Sequence, residues 1–209
     1  MSKLRPARYR SFILTGAPGS GKGTQGAILG EIPRFYHFSM GDAFRSLDTR
    51  TEIGQEFVRY SSAGQLVPDE LTIRFFRTQL DARADLHDFK PDIDILVLDG
   101  VPRNRSQAAL LAEHLDVLHL FHLSCPDRDE LITRLRKRAL KSGRLDDASE
   151  EVIHHRIRTY EEETKELFDF YPDDIRTTVN ADQPPVKVLA DILNTVLANP
   201  AWQHATVPS

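Results

Sequence analysis

The sequence predicts a three-layer α/β/α fold, with a five-stranded parallel sheet at its centre and two mobile insertions covering it. Three observations lead there. Short apolar runs alternate with longer stretches of helical periodicity along the chain. Several of those runs are almost continuously apolar, as strands covered on both faces must be. The first run also leads directly into a glycine-rich turn and then a helical pattern, which is the order of a strand, a phosphate-binding loop and a helix.

The strands are expected at Ser11 to Thr15, Tyr36 to Ser39, Ile95 to Leu98, Val117 to Leu123 and Ile175 to Val179. Between them a helix is expected from Pro68 to Arg83, with Leu71, Phe75 and Leu80 on one side. Another is expected from Ser149 to about Phe170. Pro68 and Pro126 suit a first helical turn, where the missing N–H costs nothing. Alternating strands and helices imply parallel pairing through right-handed crossovers. Two stretches interrupt the rhythm, Gly41 to Gly64 and the basic segment Arg134 to Arg144. No repeat or linker divides the chain, so residues 1–209 read as one domain with insertions at 39–67 and 137–147. Residues 199–209 lack periodicity and carry two prolines, so this tail is expected to fray.

Composition narrows the function classes. The 209 residues hold 27 Lys and Arg against 31 Asp and Glu, a net charge of −4. That balance argues against a nucleic-acid coat, which would be basic. The single cysteine, Cys125, excludes an internal disulfide and any multi-cysteine zinc site. Its solitude fits a reducing compartment. The apolar run after the basic start is only Phe12, Ile13 and Leu14, too short for a secretory leader. No stretch reaches the roughly 20 apolar residues of a membrane helix. A soluble cytoplasmic protein is expected, with no membrane partner.

The chemistry is concentrated in Gly16-Ala17-Pro18-Gly19-Ser20-Gly21-Lys22-Gly23-Thr24, which matches G-x-x-x-x-G-K in its strand–loop–helix setting. Glycines let backbone N–H groups wrap phosphate oxygens, and the helix that follows turns its positive end toward them. Lys22 adds a mobile charge. Gly23 stands where such loops usually carry a metal-binding Ser or Thr, so Thr24 is displaced by one as a magnesium ligand. Asp99 ends the apolar run Ile95 to Leu98. A carboxylate there either holds magnesium, directly or through water, or caps the turn at Gly100.

With these residues, five ordered motifs resemble the adenylate kinase family of nucleoside monophosphate kinases, over roughly Ser11 to Leu197. The loop with Gly23 after Lys22 is that family's own form. Phe38 to Arg45 resembles its monophosphate-binding turn, and Gly64-Gln65-Leu66-Val67-Pro68 the end of the same insertion. Asp99-Gly100-Val101-Pro102-Arg103 with Gln107 is similar to its D-G-F-P-R…Q signature. Ser142 to Asp147 with Arg156 resembles the short second lid. The long four-cysteine lid of related kinases binds zinc, and the short form has no place for it.

The resemblance implies magnesium-dependent phosphoryl transfer from ATP to AMP by a monomer. It assigns Gly19, Ser20, Gly21, Lys22, Gly23, Thr24, Arg134, Arg138 and Gln183 to ATP. To AMP it assigns Met40, Arg45, Gln65, Leu66 and Val67, then Gly100, Val101, Pro102, Arg103 and Gln107, and finally Arg144 and Arg156. Lys22, Arg103, Arg138, Arg144 and Arg156 would neutralise the transferring group. Arginine's planar fork suits phosphate oxygens better than lysine's point charge does.

Other readings of the same residues remain. Arg134 to Arg144 also reads as a solvated basic helix face, with Arg134, Arg136, Lys137 and Lys141 as surface charges. Gln107 either reads the adenine edge or closes a capping box with Asn104. Met40 replaces the common Thr, and Val101 the common Phe. Asn104 is shared with pyrimidine kinases, so a UMP/CMP kinase is the nearest alternative. A nucleotide-dependent binding module is the alternative of a different class. The histidines show no metal-binding spacing, since His154 and His155 are adjacent and diverge on a helix.

Overall fold

A computed structural model describes residues 8–62, 65, 67–142, 149–200 and 202. Its strands are β1 (Tyr9–Gly16), β2 (Phe35–Ser39), β3 (Ile95–Asp99), β4 (Leu115–Ser124) and β5 (Arg176–Asn180). All pair in parallel, in the order β2-β3-β1-β4-β5. The helices are α1 (Lys22–Gly30), α2 (Met40–Arg45), α3 (Glu52–Ser62), α4 (Asp69–Asp85), α5 (Arg105–Leu111), α6 (Arg128–Ser142), α7 (Glu150–Phe170) and α8 (Pro185–Ala198). No helix among the described residues is long and apolar enough to cross a membrane.

Strand alternation sends successive side chains into two separate cores. Phe12, Leu14, Val97, Phe121 and Leu123 join one core with residues of α1, α6 and α8. Ile13, Leu96, Leu98 and Leu120 join the other with α2, α4 and α5. Helix α7 serves both, giving Ile153 and Ile157 to the first and Leu167 to the second. This double burial explains why the strands read as nearly unbroken apolar runs.

The structure corrects several details. The first four strands reach one or two residues beyond the expected runs at one or both ends, because pairing with a neighbour, not apolarity, sets where a strand stops. Tyr9, for example, pairs with Leu115. Strand β5 is shifted instead, since Ile175 closes a 3-10 turn at Asp173–Ile175 and the strand runs from Arg176 to Asn180. Pro68 lies one residue ahead of α4, and Pro126 two ahead of α6, whose start is capped by the Asp127 carboxylate accepting from the Asp129 and Glu130 N–H groups. The two interruptions both contain helix: α2 and α3 in the first, most of α6 in the second. Helix α6 buries Leu131, Ile132 and Leu135 while its cations face elsewhere. Of the tail expected to fray, 199–209, residues 199, 200 and 202 are described, and 201 and 203–209 lie outside the described residues. Trp202 stacks on Phe35 with ring centroids 4.7 Å apart, and Asn199 donates to the Leu118 carbonyl.

The topology also sets where a site can lie. In an open parallel sheet the crevice forms beyond the carboxyl ends of the strands. Here Gly16, Ser39 and Asp99 end adjacent strands, with Leu14 and Ser39 both in register with Asp99.

Candidate active site

A cleft of about 850 Å³ opens at that end of the sheet. The loop after β1 forms its floor. Gly16, Gly19 and Gly21 adopt positive φ of 149°, 86° and 99°. At Gly16 a side chain would strike the Leu123 carbonyl at 2.5 Å, so glycine is required there for space as well as conformation. Helix α1 starts without a side-chain cap. Its N-terminal N–H groups therefore remain for an anion.

Lys22 Nζ donates to the carbonyls of Gly16 at 2.6 Å and Ala17 at 3.0 Å, folding back over the loop. Burial of the ammonium group holds the Lys22 pKa down to about 8. Asp99 opposes that shift, while Arg103, Arg138 and Arg156 reinforce it. Arg103 from the loop after β3, Arg138 from α6 and Arg156 from α7 line the same cleft as Lys22, near enough for their charges to act on it. Asp99 is 9 % exposed at the end of β3, and a side chain at Gly23 would meet its Oδ2 at 3.4 Å.

Among the described residues, eight cationic side chains line the cleft against four carboxylates, in a chain whose net charge is negative. Their local excess focuses positive potential where the loop is. Arg45 pairs with Asp42 at the end of α2, and Arg103 Nε donates to the Gly100 carbonyl at 3.1 Å. Arg134 donates to Glu130 at 2.8 Å and to the Ala181 carbonyl at 3.0 Å, joining α6 to the loop after β5. Gln183 donates to Asp191 at 2.6 Å. At the opposite end, Phe44 stacks between Phe57 at 4.9 Å and Phe75 at 4.7 Å. Phe44, Phe57, Met40, Val67, Thr72 and Gln107 all line the cleft.

The sequence-derived residues gather here with few exceptions. Gly19, Ser20, Gly21, Gly23, Thr24, Gln65, Gly100, Pro102, Arg138 and Arg156 also line the cleft. Val101 does not. Its side chain is fully buried among the core residues of α2, α4 and α5, and it is not among the residues that line the cleft. Leu66, Gly64, Arg144, Asp146 and Asp147 lie outside the described residues. Of the four cations read as surface charges, Arg136 is exposed and paired with Glu150, whereas Arg134, Lys137 and Lys141 line the cleft. Gln107 N–H donates to Asn104 Oδ1 at 2.8 Å, so the capping reading of this pair holds in its first half. The Gln107 side chain itself turns to the Arg103 N–H instead of that of Asn104.

Sequence reasoning missed Thr72, Phe57, Lys137, Lys141, Thr159, Tyr160 and Glu163 as lining residues. For the lysines a signal existed: Arg134, Lys137, Arg138 and Lys141 recur at helical spacing on one face of α6. Arg156, Thr159, Tyr160 and Glu163 follow the same rule on α7.

So much positive charge around one phosphate loop, with an aromatic pocket opposite, suits two phosphate-bearing ligands held face to face. In class, this is a nucleoside monophosphate kinase. Residues 14–175 match the model of the family described as "Adenylate kinase". The "Adenylate kinase" of Mycolicibacterium smegmatis is 40% identical over 178 residues, covering 81% of this chain and 89% of the relative. That of Leptospira biflexa is 39% identical over 168 residues, covering 78% and 86%. That of Flavobacterium psychrophilum is 32% identical over 196 residues, covering 89% and 99%. The chain belongs to the adenylate kinase family.

Proposed function

We propose that the cleft transfers the γ-phosphoryl group of ATP to AMP, reversibly, giving two ADP. The observation that carries this reading is that Arg103, Arg138 and Arg156 line one cleft with Lys22 and the phosphate loop, near enough for their charges to act on the lysine. Two polyanions repel one another, and phosphoryl transfer offers the protein little covalent chemistry to perform. Charge neutralisation and positioning must do most of the work.

In the proposed arrangement Gly19 to Thr24 cradle the ATP phosphates, and Arg134, Arg138 and Gln183 line the donor side. Arg45 and Arg103 hold the acceptor phosphate, and Phe44, Met40, Val67 and Gln107 enclose its base. An acceptor phosphate oxygen forms the new bond to the γ-phosphorus as the bond to the β–γ bridging oxygen breaks. The acceptor is already anionic, so no side chain need remove a proton. Arg156, with Arg138, faces the charge that develops between the two nucleotides.

Magnesium fits the donor set. Mg²⁺ is commonly held by one or two carboxylates together with substrate phosphates and water, and Asp99 offers one carboxylate beside the loop. When bound, the ion would neutralise phosphate charge; Asp99 would hold it through water, with the Thr24 hydroxyl as a further donor. We assign the insertions at 39–67 and 137–147 to closure over the substrates, which excludes the water that would otherwise take the phosphoryl group. We also infer a cytoplasmic monomer whose partners are ATP, AMP and ADP, consistent with the one buried thiol.

The test is a phosphoryl-transfer assay with ATP and AMP, CMP, UMP or GMP as acceptor. AMP is expected to be the best acceptor. Preference for CMP or UMP would favour the pyrimidine reading, toward which the apolar Met40 in the base pocket points.

A further inference from the structure

We propose that Asp69 is a specificity-determining positioning residue, one that locks the amide of Gln107 in a single orientation and so fixes which purine the acceptor pocket takes. This rests on the reading of Gln107 as base-facing and adds to it a residue that does not line the cleft.

Asp69 is the first residue of α4, where the positive end of the helix favours an anion. Its Oδ1 accepts from Gln107 Nε2 at 2.8 Å and from Asn104 Nδ2 at 3.1 Å. Its Oδ2 lies 3.4 Å from the same Asn104 nitrogen. The other end of each amide is also matched. Asn104 Oδ1 accepts from the Gln107 N–H at 2.8 Å, and Gln107 Oε1 accepts from the Arg103 N–H at 2.8 Å.

An ionised carboxylate accepts hydrogen bonds and never donates them. Turning the Gln107 amide over would place its oxygen against the Asp69 carboxylate and its NH₂ against the Arg103 N–H. Both contacts would then be repulsive, so the amide has one stable orientation. A primary amide carries two N–H groups and two acceptor lone pairs, and one of each is consumed here. One N–H and one lone pair remain, in fixed order. Gln107 is 1 % exposed yet lines the cleft, so a base edge reaching it meets that order with little water to compensate a mismatch.

The chemistry this order distinguishes is simple. Adenine offers an acceptor at N1 and a donor at its amino group. Hypoxanthine has the same ring shape with the two reversed, a donor at N1 and an acceptor at O6. A locked amide matches one and opposes the other. An amide free to turn over accommodates either.

The experiment compares AMP with inosine 5′-monophosphate as acceptors, for the full chain and for Asp69→Asn and Gln107→Leu. Asparagine keeps the shape of Asp69 but can accept or donate, so it removes the charge-assisted half of the lock and leaves only the Arg103 N–H opposing the turned amide. The expected result is a fall of about tenfold in the AMP-over-IMP ratio of kcat/KM for Asp69→Asn, with KM for ATP unchanged. A brace that merely joined α4 to α5 would change stability and leave this ratio alone. Melting temperature is measured alongside, and Asp69→Ser replaces Asp69→Asn if the latter fails to fold. An unchanged ratio in the Asp69 variant, with a lowered one in Gln107→Leu, overturns the lock and leaves Gln107 as the base reader. An unchanged ratio in Gln107→Leu overturns the base reading, and the lock with it.

Discussion

The depressed pKa of Lys22 leads to a prediction about nucleotide affinity and pH. In the free protein the ammonium group sits against two carbonyls of the loop and feels the charges of Arg103, Arg138 and Arg156, and its pKa falls to about 8. A bound polyphosphate brings several negative charges against the same group and raises its pKa again. Binding therefore favours the protonated lysine. Below pH 8 the free protein already carries that proton, and affinity is constant. Above pH 8 the proton must be taken up on binding, and each further pH unit weakens binding roughly tenfold. The perturbation is a pH series from 6.5 to 9.5 with a non-hydrolysable ATP analogue. Isothermal titration calorimetry in two buffers of different ionisation enthalpy reads both the dissociation constant and the proton uptake. At pH 9 the expected values are an affinity about tenfold below that at pH 7 and an uptake approaching one proton. A Lys22→Met variant should bind weakly throughout and lose the pH dependence. A flat profile in the unmodified protein, with no proton uptake at pH 9, would refute the reasoning.

Three further outcomes follow from particular contacts. Arg103→Ala should fold normally yet lose about 10³-fold or more in kcat/KM, read by a coupled ADP assay, because one well-placed arginine contributes at that scale. Gly26→Ala would bring a Cβ to 2.3 Å from His37 Nε2. Overpacking of this kind costs about 1–3 kcal/mol, offset by about 1 kcal/mol of improved helix propensity. Urea denaturation should show that adding His37→Ala removes the clash, with a coupling free energy of about 1 kcal/mol in the double-mutant cycle. Trp202→Ala should lower stability by about 1 kcal/mol or more through loss of the stack on Phe35. Because Trp202 is the sole tryptophan, its fluorescence should report unfolding of the intact chain.

The phosphate loop was legible because its chemistry is local: the spacing of Gly16, Gly21 and Lys22 and their strand–helix setting lie within nine residues. The five strands were legible because burial on both faces leaves long apolar runs, though their ends were not, since pairing with a neighbour decides where a strand stops. Helix α3 was hidden for a different reason. Its sequence is largely polar, and its aromatic anchor, Phe57, packs on Phe44 from another helix. Helix α6 was masked by its charge, because the eye counts the cations before the apolar stripe of Leu131, Ile132 and Leu135. Val101 sits between Gly100 and Pro102, both in the cleft, and nothing in its neighbours reveals that its own side chain turns into the core. The bond between Asp69 and Gln107 joins residues 38 apart, in different helices, and only the fold brings them together.

The central claim is that one cleft passes a phosphoryl group from ATP to AMP without surrendering it to water. Phosphorus NMR of the protein with magnesium, ATP and AMP tests this most directly. The account predicts that ATP and AMP disappear in equal amounts, with two ADP formed for each ATP and no inorganic phosphate. Release of inorganic phosphate with AMP unconsumed would contradict it.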